Sequence, residues 1–121
     1  KSLKNISPYM FSKCISLKNI SIPDSVESID NYAFSNCISL TSLTLPNSVA
    51  FIGQYSFSSC TALKTLEIPI RLNLVDTGAF RDCNALKEIY YGGTEKDFEK
   101  ISVATGNSAF TDATLICDGA K

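Results

Sequence analysis

Four of the five cysteines, Cys14, Cys37, Cys60 and Cys83, stand 23 residues apart. Thiols at a fixed spacing could join in disulfides, hold a metal, or attack an electrophile. Each of these meets an obstacle in the surrounding residues. The sequence has no His, so no Cys–His or Ser–His pair for acyl transfer can be assembled. The spacing is not C-x-x-C, and rungs of a regular column do not surround an ion tetrahedrally. Each of the four thiols instead follows a Phe by three positions (Phe11, Phe34, Phe57, Phe80), and unpaired Cys is among the most buried residue types. The pattern predicts a buried column of small side chains. Stacking in register would bring neighbouring Cα atoms within disulfide range, but parallel side-chain vectors disfavour the dihedral near 90° that the bond requires. Cys117 stands outside the column, and its redox state stays open.

Other candidates for chemistry are weaker. Asp24, Glu27, Asp30, Glu67 and Glu88 fall on turns or on outward strand positions, where carboxylates keep a surface soluble. Gly92-Gly93 is a lone pair rather than a phosphate-cradling loop, and it predicts a positive φ or a tight turn. Asn5-Ile6-Ser7 and Asn19-Ile20-Ser21 spell glycosylation sequons, which we read as chance matches. No catalytic, metal or cofactor site is expected.

The elements that hold these residues follow from the same 23-residue period. Aligned on Phe, the chain shows apolar columns at Leu17, Leu40, Leu63 and Leu86, at Ile20, Leu43, Leu66 and Ile89, and at Ile22, Leu45, Ile68 and Tyr91. The last two columns alternate with polar residues at period two, the pattern of a strand with one buried face. Pro23, Pro46 and Pro69 then stop the strand by removing a ladder donor. Val26, Val49 and Leu72, followed by Ile29, Ile52 and Val75, predict a second extended stretch on the opposite wall. Tyr32-Ala33-Phe34-Ser35-Asn36-Cys37 predicts a single helical or 3₁₀ turn that brings Ala33, Phe34 and Cys37 to one side. Tyr9, Tyr32 and Tyr55, replaced by Gly78 in the last unit, predict an aromatic edge along the outer wall.

A lone unit buries seven or eight apolar side chains at roughly 1.5–3 kcal/mol each. Ordering it costs on the order of 1–2 kcal/mol per residue in backbone entropy. Only stacking closes that gap, by pairing each strand with the next and making the apolar interior continuous. The expected product is a short solenoid of parallel strands about 4.8 Å apart.

Both ends depart from the period. Leu3, Ile6 and Met10 extend the columns backwards, so we expect the chain to begin inside a repeat, as a fragment of a longer array would. Any export signal is expected outside this segment. After Tyr91 the 23-residue register is not resumed. Thr94-Glu95-Lys96-Asp97 resembles a capping box and predicts a short helix from about Glu95 to Ile101. Gly106-Asn107 predicts a turn, and Ala113 to Cys117 a last strand. We therefore divide the chain into tandem repeats at 1–91, the first truncated, and a C-terminal cap at 92–121 that covers the open apolar end.

Composition limits the function. The chain has 121 residues, 45% hydrophobic and 19% charged, with a formal net charge of −1. Its scattered basic residues give no nucleic-acid footprint, and no apolar run reaches the roughly 20 residues of a membrane span.

The unit from Ser39 to Cys60, written S-L-x-S-L-x-L-P-N-S-V-x-x-I-G-x-x-[AS]-F-x-x-C, resembles the BspA-like leucine-rich repeats of bacterial and protist surface proteins. The resemblance covers residues 1–91, and Tyr90 through Ile116 looks like the terminal unit of such arrays. It departs from the pattern at Ile70 to Leu74, where the usual polar-Ser-Val turn is missing. The resemblance implies a leucine-rich-repeat solenoid in a secreted or cell-surface protein, with repeats that bind other proteins or host extracellular components. A spacer or scaffold role beside a catalytic domain elsewhere is the alternative. The strand pattern itself locates a candidate ligand face in two outward columns: Asn19, Ser42, Thr65 and Glu88, and Ser21, Thr44, Glu67 and Tyr90. Tyr90 with Glu67 and Glu88 is the expected hot region, because Tyr combines contact area with a hydrogen-bonding tip.

Overall fold

The computed structural model describes residues 3–117. Two parallel sheets, one of five strands and one of four, face each other across an apolar interior. One wall consists of β1 (Asn5–Ile6), β2 (Ser28–Ile29), β4 (Phe51–Ile52), β6 (Leu74–Val75) and β8 (Ser102–Val103). The other consists of β3 (Ser42–Thr44), β5 (Thr65–Ile68), β7 (Glu88–Tyr91) and β9 (Thr114–Cys117). Helices α1 (Glu95–Glu99) and α2 (Ser108–Asp112) lie in the last turn.

Register follows the sequence period. Asn5 faces Ser28, then Phe51, then Leu74 on the first wall, and Ser42 faces Thr65, then Glu88 on the second. Ile6, Ile29, Ile52 and Val75 all point inward and are buried. These β-branched side chains suit a pleated, buried surface. The extended stretch expected on the opposite wall is thus a second sheet.

The corner joining the walls is laddered too. Within each copy the chain makes overlapping i→i+3 bonds, as from Ala33 N–H to Asp30 O at 3.2 Å and from Cys37 N–H to Phe34 O at 3.3 Å. Alternate amides point to the next turn: Phe34 N–H donates to Ser56 O at 2.7 Å, and Asn36 N–H to Ser58 O at 2.8 Å. The 3₁₀-type bonds expected here are present but do not run on as a helix, because Tyr32 and Asn36 take positive φ (both 61°). Positive φ recurs at Tyr9, Tyr55 and Gly78 and at Lys13, Ser59 and Asp82. A bulky residue in this region is uncommon, and stacking compensates it: Tyr9–Tyr32 and Tyr32–Tyr55 ring centroids lie 4.9 and 5.3 Å apart, nearly parallel. Gly78 ends that column, since a Cβ there would come within 2.4 Å of the Tyr55 ring.

The departure at Ile70 to Leu74 leaves the backbone unchanged. Leu72 N–H bonds Pro69 O at 3.1 Å, as Val26 bonds Pro23 and Val49 bonds Pro46. What disappears is a side-chain rung: Ser25 and Ser48 Oγ each donate to a carbonyl of the preceding turn, and Arg71 occupies the corresponding place.

The last turn rejoins both sheets after a longer excursion. It takes 28 residues on one wall, Leu74 to Ser102, and 26 on the other, Glu88 to Thr114. Thr94 caps α1 with a reciprocal box, in which Asp97 N–H donates to Thr94 Oγ1 at 3.2 Å and Thr94 N–H to Asp97 Oδ2 at 3.0 Å. These bonds, the backbone one first, hold the Asp97 carboxyl below its usual pKa. The expected helix is present but stops at Glu99, leaving Ile101 to pack as a buried residue beyond it. Phe110 stacks on Phe80 at 5.3 Å and so continues the ring column of Phe11, Phe34, Phe57 and Phe80. Of the positive φ or tight turn expected at the glycine pair, neither Gly92 nor Gly93 has positive φ, and the chain bends at both. Gly93 is needed for close approach, since a Cβ would stand 2.8 Å from Tyr91 Cε2 and 3.0 Å from Asp97 Oδ2.

Candidate binding surface

The cysteines occupy the column their spacing predicts. Cys37, Cys60 and Cys83 are buried, Cys14 is half-buried, and all are thiols. Each inner Sγ donates to the Phe carbonyl of the preceding turn: Cys37 to Phe11 at 3.1 Å, Cys60 to Phe34 at 3.2 Å, Cys83 to Phe57 at 3.1 Å. That carbonyl also accepts the amide of the Cys in its own turn, so both lone pairs are used. A small apolar residue with a weak donor is what the position requires. Burial, then the neighbouring Cys60 thiol, pushes Cys37 up to about 11. Cys60 is held higher still, by the Cys83 thiol first and then by burial. Thiols kept protonated are poor nucleophiles. Among the described residues no group of three or more His, Cys, Asp or Glu gathers to hold a metal.

The second sheet presents the candidate ligand face. Leu43, Leu66 and Ile89 point inward, so alternate residues point out. Ser42, Thr65 and Glu88 stand side by side in one column, and Thr44, Glu67 and Tyr90 in the next. β9 extends the columns by Thr114 and Ile116, two positions hidden from the 23-residue alignment by the longer last turn. Ser42, Thr44 and Glu67 are exposed, while Thr65, Glu88 and Tyr90 are half-buried. The Tyr90 hydroxyl donates to Glu88 Oε1 at 2.9 Å. This bond joins the two columns at the expected hot region.

The first unit behaves differently. Asn19 and Ser21 are exposed but lie outside the sheet, which begins with β3. Thr41 N–H to Lys18 O at 3.3 Å and Ser39 Oγ to Ile15 O at 2.6 Å tie this stretch to its neighbour. With Leu17 and Ile20 only half-buried, less apolar contact holds the segment down, and a cleft of about 330 Å³ opens between Asn19–Ser21 and Thr44–Pro46.

A second cleft of about 280 Å³ follows the strand ends, lined by Thr44, Glu67 and Tyr90 with Pro46, Pro69 and Asp24. Sequence reasoning does not reveal it, because it forms between turns where the prolines leave the sheet. Asn107 is another residue missed. Buried, it accepts the Phe80 N–H at Oδ1 (2.9 Å) and donates through Nδ2 to Asp76 O and Ala104 O. It takes the place of the next-turn carbonyl that serves Phe11, Phe34 and Phe57.

The family model for BspA type leucine rich repeat regions matches residues 1–116, in six copies. Among solved structures, a leucine rich cell surface protein from Faecalibacterium prausnitzii superposes with a TM-score of 0.77 at 28% identity, over 78% of this chain and 25% of that one. The T. pallidum leucine rich repeat protein gives 0.73 at 32% identity, over 84% of this chain and 45% of that one. The chain thus spans less than half the length of either. Among curated proteins none matches.

Proposed function

Because the chain belongs to the BspA-type leucine-rich-repeat family, we propose that it is a non-enzymatic, protein-binding segment of a secreted or surface-attached protein that adheres to other proteins or host extracellular components. The cell-surface description of the F. prausnitzii relative supports the compartment. No described helix is long and apolar enough to cross a membrane.

The observation that carries the reading is the outer face of β3, β5, β7 and β9. The repeat's constant apolar residues are buried in the stack, whereas its variable residues share one outward sheet face and change from hydroxyls at Ser42 and Thr44 to Glu67, Glu88 and Tyr90. Rigid sheet presentation spares the ordering entropy that a flexible loop would lose on binding. We also propose that residues 92–121, of which 118–121 lie outside the described residues, form the unit that covers the apolar end.

The test is solid-phase binding of this chain to immobilised collagen, laminin and fibronectin. Saturable binding that falls in a Glu67→Ala/Tyr90→Ala double variant is the expected result. Absence of binding at micromolar concentration would favour a spacer role, and unchanged binding by the double variant would move the ligand off this face.

A further inference from the structure

The two clefts at the strand ends share Asp24, Thr44 and Pro46, so they form one shallow groove that crosses the strands. Its floor is Ser21, Thr44, Glu67 and Tyr90, and Pro46 edges it, with the buried Pro69 behind. Neighbouring turns lie about 4.8 Å apart, so four turns make a track of roughly 15 Å, the reach of four or five extended residues.

Charge in the groove has one sign. Asp24 and Glu67 line it, and no Lys or Arg lines either cleft. Glu88 stands one column away, with its carboxylate tied to the Tyr90 hydroxyl. Lys18, Lys64 and Lys87 precede the strands at the opposite end, and the one basic side chain near the groove, Arg71, lines a neighbouring cleft that meets it at Asp24 and Asn47, away from Glu67 and Tyr90. Tyr90 adds an aromatic ring beside those carboxylates. A planar cation that stacks on a ring while bonding a carboxylate in its plane fits this pairing better than a compact ammonium does.

Building on the binding reading above, we infer that the groove takes an extended, arginine-containing peptide segment of a partner protein, laid across the strands with a guanidinium over Tyr90 and against Glu67. Pro46 and Thr44 contact its backbone and neighbouring small residues. Asp24 takes a second basic side chain farther along the track.

Isothermal titration of the chain with the peptide Gly-Arg-Gly-Arg-Gly tests this, against counterparts carrying citrulline, Lys or Glu in place of Arg. Citrulline keeps the shape and removes the charge. Its peptide should bind at least about tenfold more weakly, as expected when charge-assisted bonds are lost. Lys should be intermediate, and Glu should not bind. Glu67→Gln with Asp24→Asn should cost a similar factor, while exposed Glu99→Gln, outside the groove, should change nothing. Circular dichroism confirms that each variant is folded. Equal binding of the Arg and citrulline peptides, or full binding by the double variant, overturns the proposal. The matrix-protein assay run in parallel separates the two readings: matrix binding that survives the groove variants overturns the groove alone, and Arg-peptide binding without matrix binding overturns adhesion alone.

Discussion

Replacing Ser56 by Ala should make this protein more stable. Ser56 is fully buried, and its Oγ is the buried side-chain polar atom left without a hydrogen-bond partner among the described residues. The residues at the same place in the neighbouring turns are Ala33 and Ala79, both fully buried. The backbone bonds of Ser56, to Gly53 O at 3.3 Å and from Phe34 N–H at 2.7 Å, do not involve the side chain. Leaving a buried hydroxyl unpaired costs about 1–3 kcal/mol. Removing the oxygen leaves a void on the order of 10 Å³, which at about 24 cal/mol per Å³ returns only a few tenths. The expected gain is about 1–2 kcal/mol, or roughly 3–8 °C in Tm for a chain of this size. Urea unfolding followed by circular dichroism measures it as a raised midpoint at unchanged slope. An unchanged or lowered midpoint would mean that Oγ does have a partner, and the argument would fail.

Three further outcomes follow from the ladders. Asn107→Ala should destabilise by about 2–3 kcal/mol, because it strands the buried Phe80 N–H and removes two further bonds; a urea midpoint equal to wild type would deny Asn107 its bridging role. Gly78→Ala places a methyl against the Tyr55 ring at φ +60° and should cost on the order of 1–3 kcal/mol, a loss that Tyr55→Ala in the same chain should partly relieve in a double-mutant cycle. Thiol titration with a disulfide reagent at pH 8 should show Cys14 reacting fast and the buried Cys37, Cys60 and Cys83 slowly. Since burial pushes the folded Cys37 thiol up to about 11 from the 9.0 of an exposed one, its contribution to stability is complete below pH 9 and is lost between pH 9 and 11, as the unfolded chain ionises first. Five equally fast thiols at pH 8 would contradict the ladder.

Most of the fold could be read because one spacing fixes every rung. Once Phe11, Phe34, Phe57 and Phe80 stand 23 apart, strand register, inward columns and the Cys ladder follow, since a stacked turn has a single way to keep them aligned. Where spacing changes, that inference stops. Phe110 lies 30 residues beyond Phe80, yet it joins the same ring stack. The dipeptide Ala109-Phe110, repeating Ala33-Phe34 and Ala79-Phe80, was the signal available. The outward columns were legible from period-two alternation, except that Asn19 and Ser21 lie outside the sheet and Thr114 and Ile116 are added to it. The groove was not legible, because it depends on how far adjacent turns separate at the prolines.

The last turn shows what a stack of this kind requires of a repeat. In the regular units the Phe amide is met by a backbone carbonyl one turn on, and that match demands a fixed number of residues. The final unit breaks the count but keeps the bond, because the Asn107 side chain supplies the carbonyl and its amide group closes onto Asp76 and Ala104. Gly106 at φ 82° then brings the chain close over Gly78, with a Cβ position only 3.2 Å from that residue's backbone. Repeat length is therefore not the conserved quantity of the stack. The physical requirement is that each inward-facing donor finds an acceptor in the next turn. An Asn of this kind, placed after a positive-φ Gly and before a small-residue–Phe pair, lets a longer unit satisfy it.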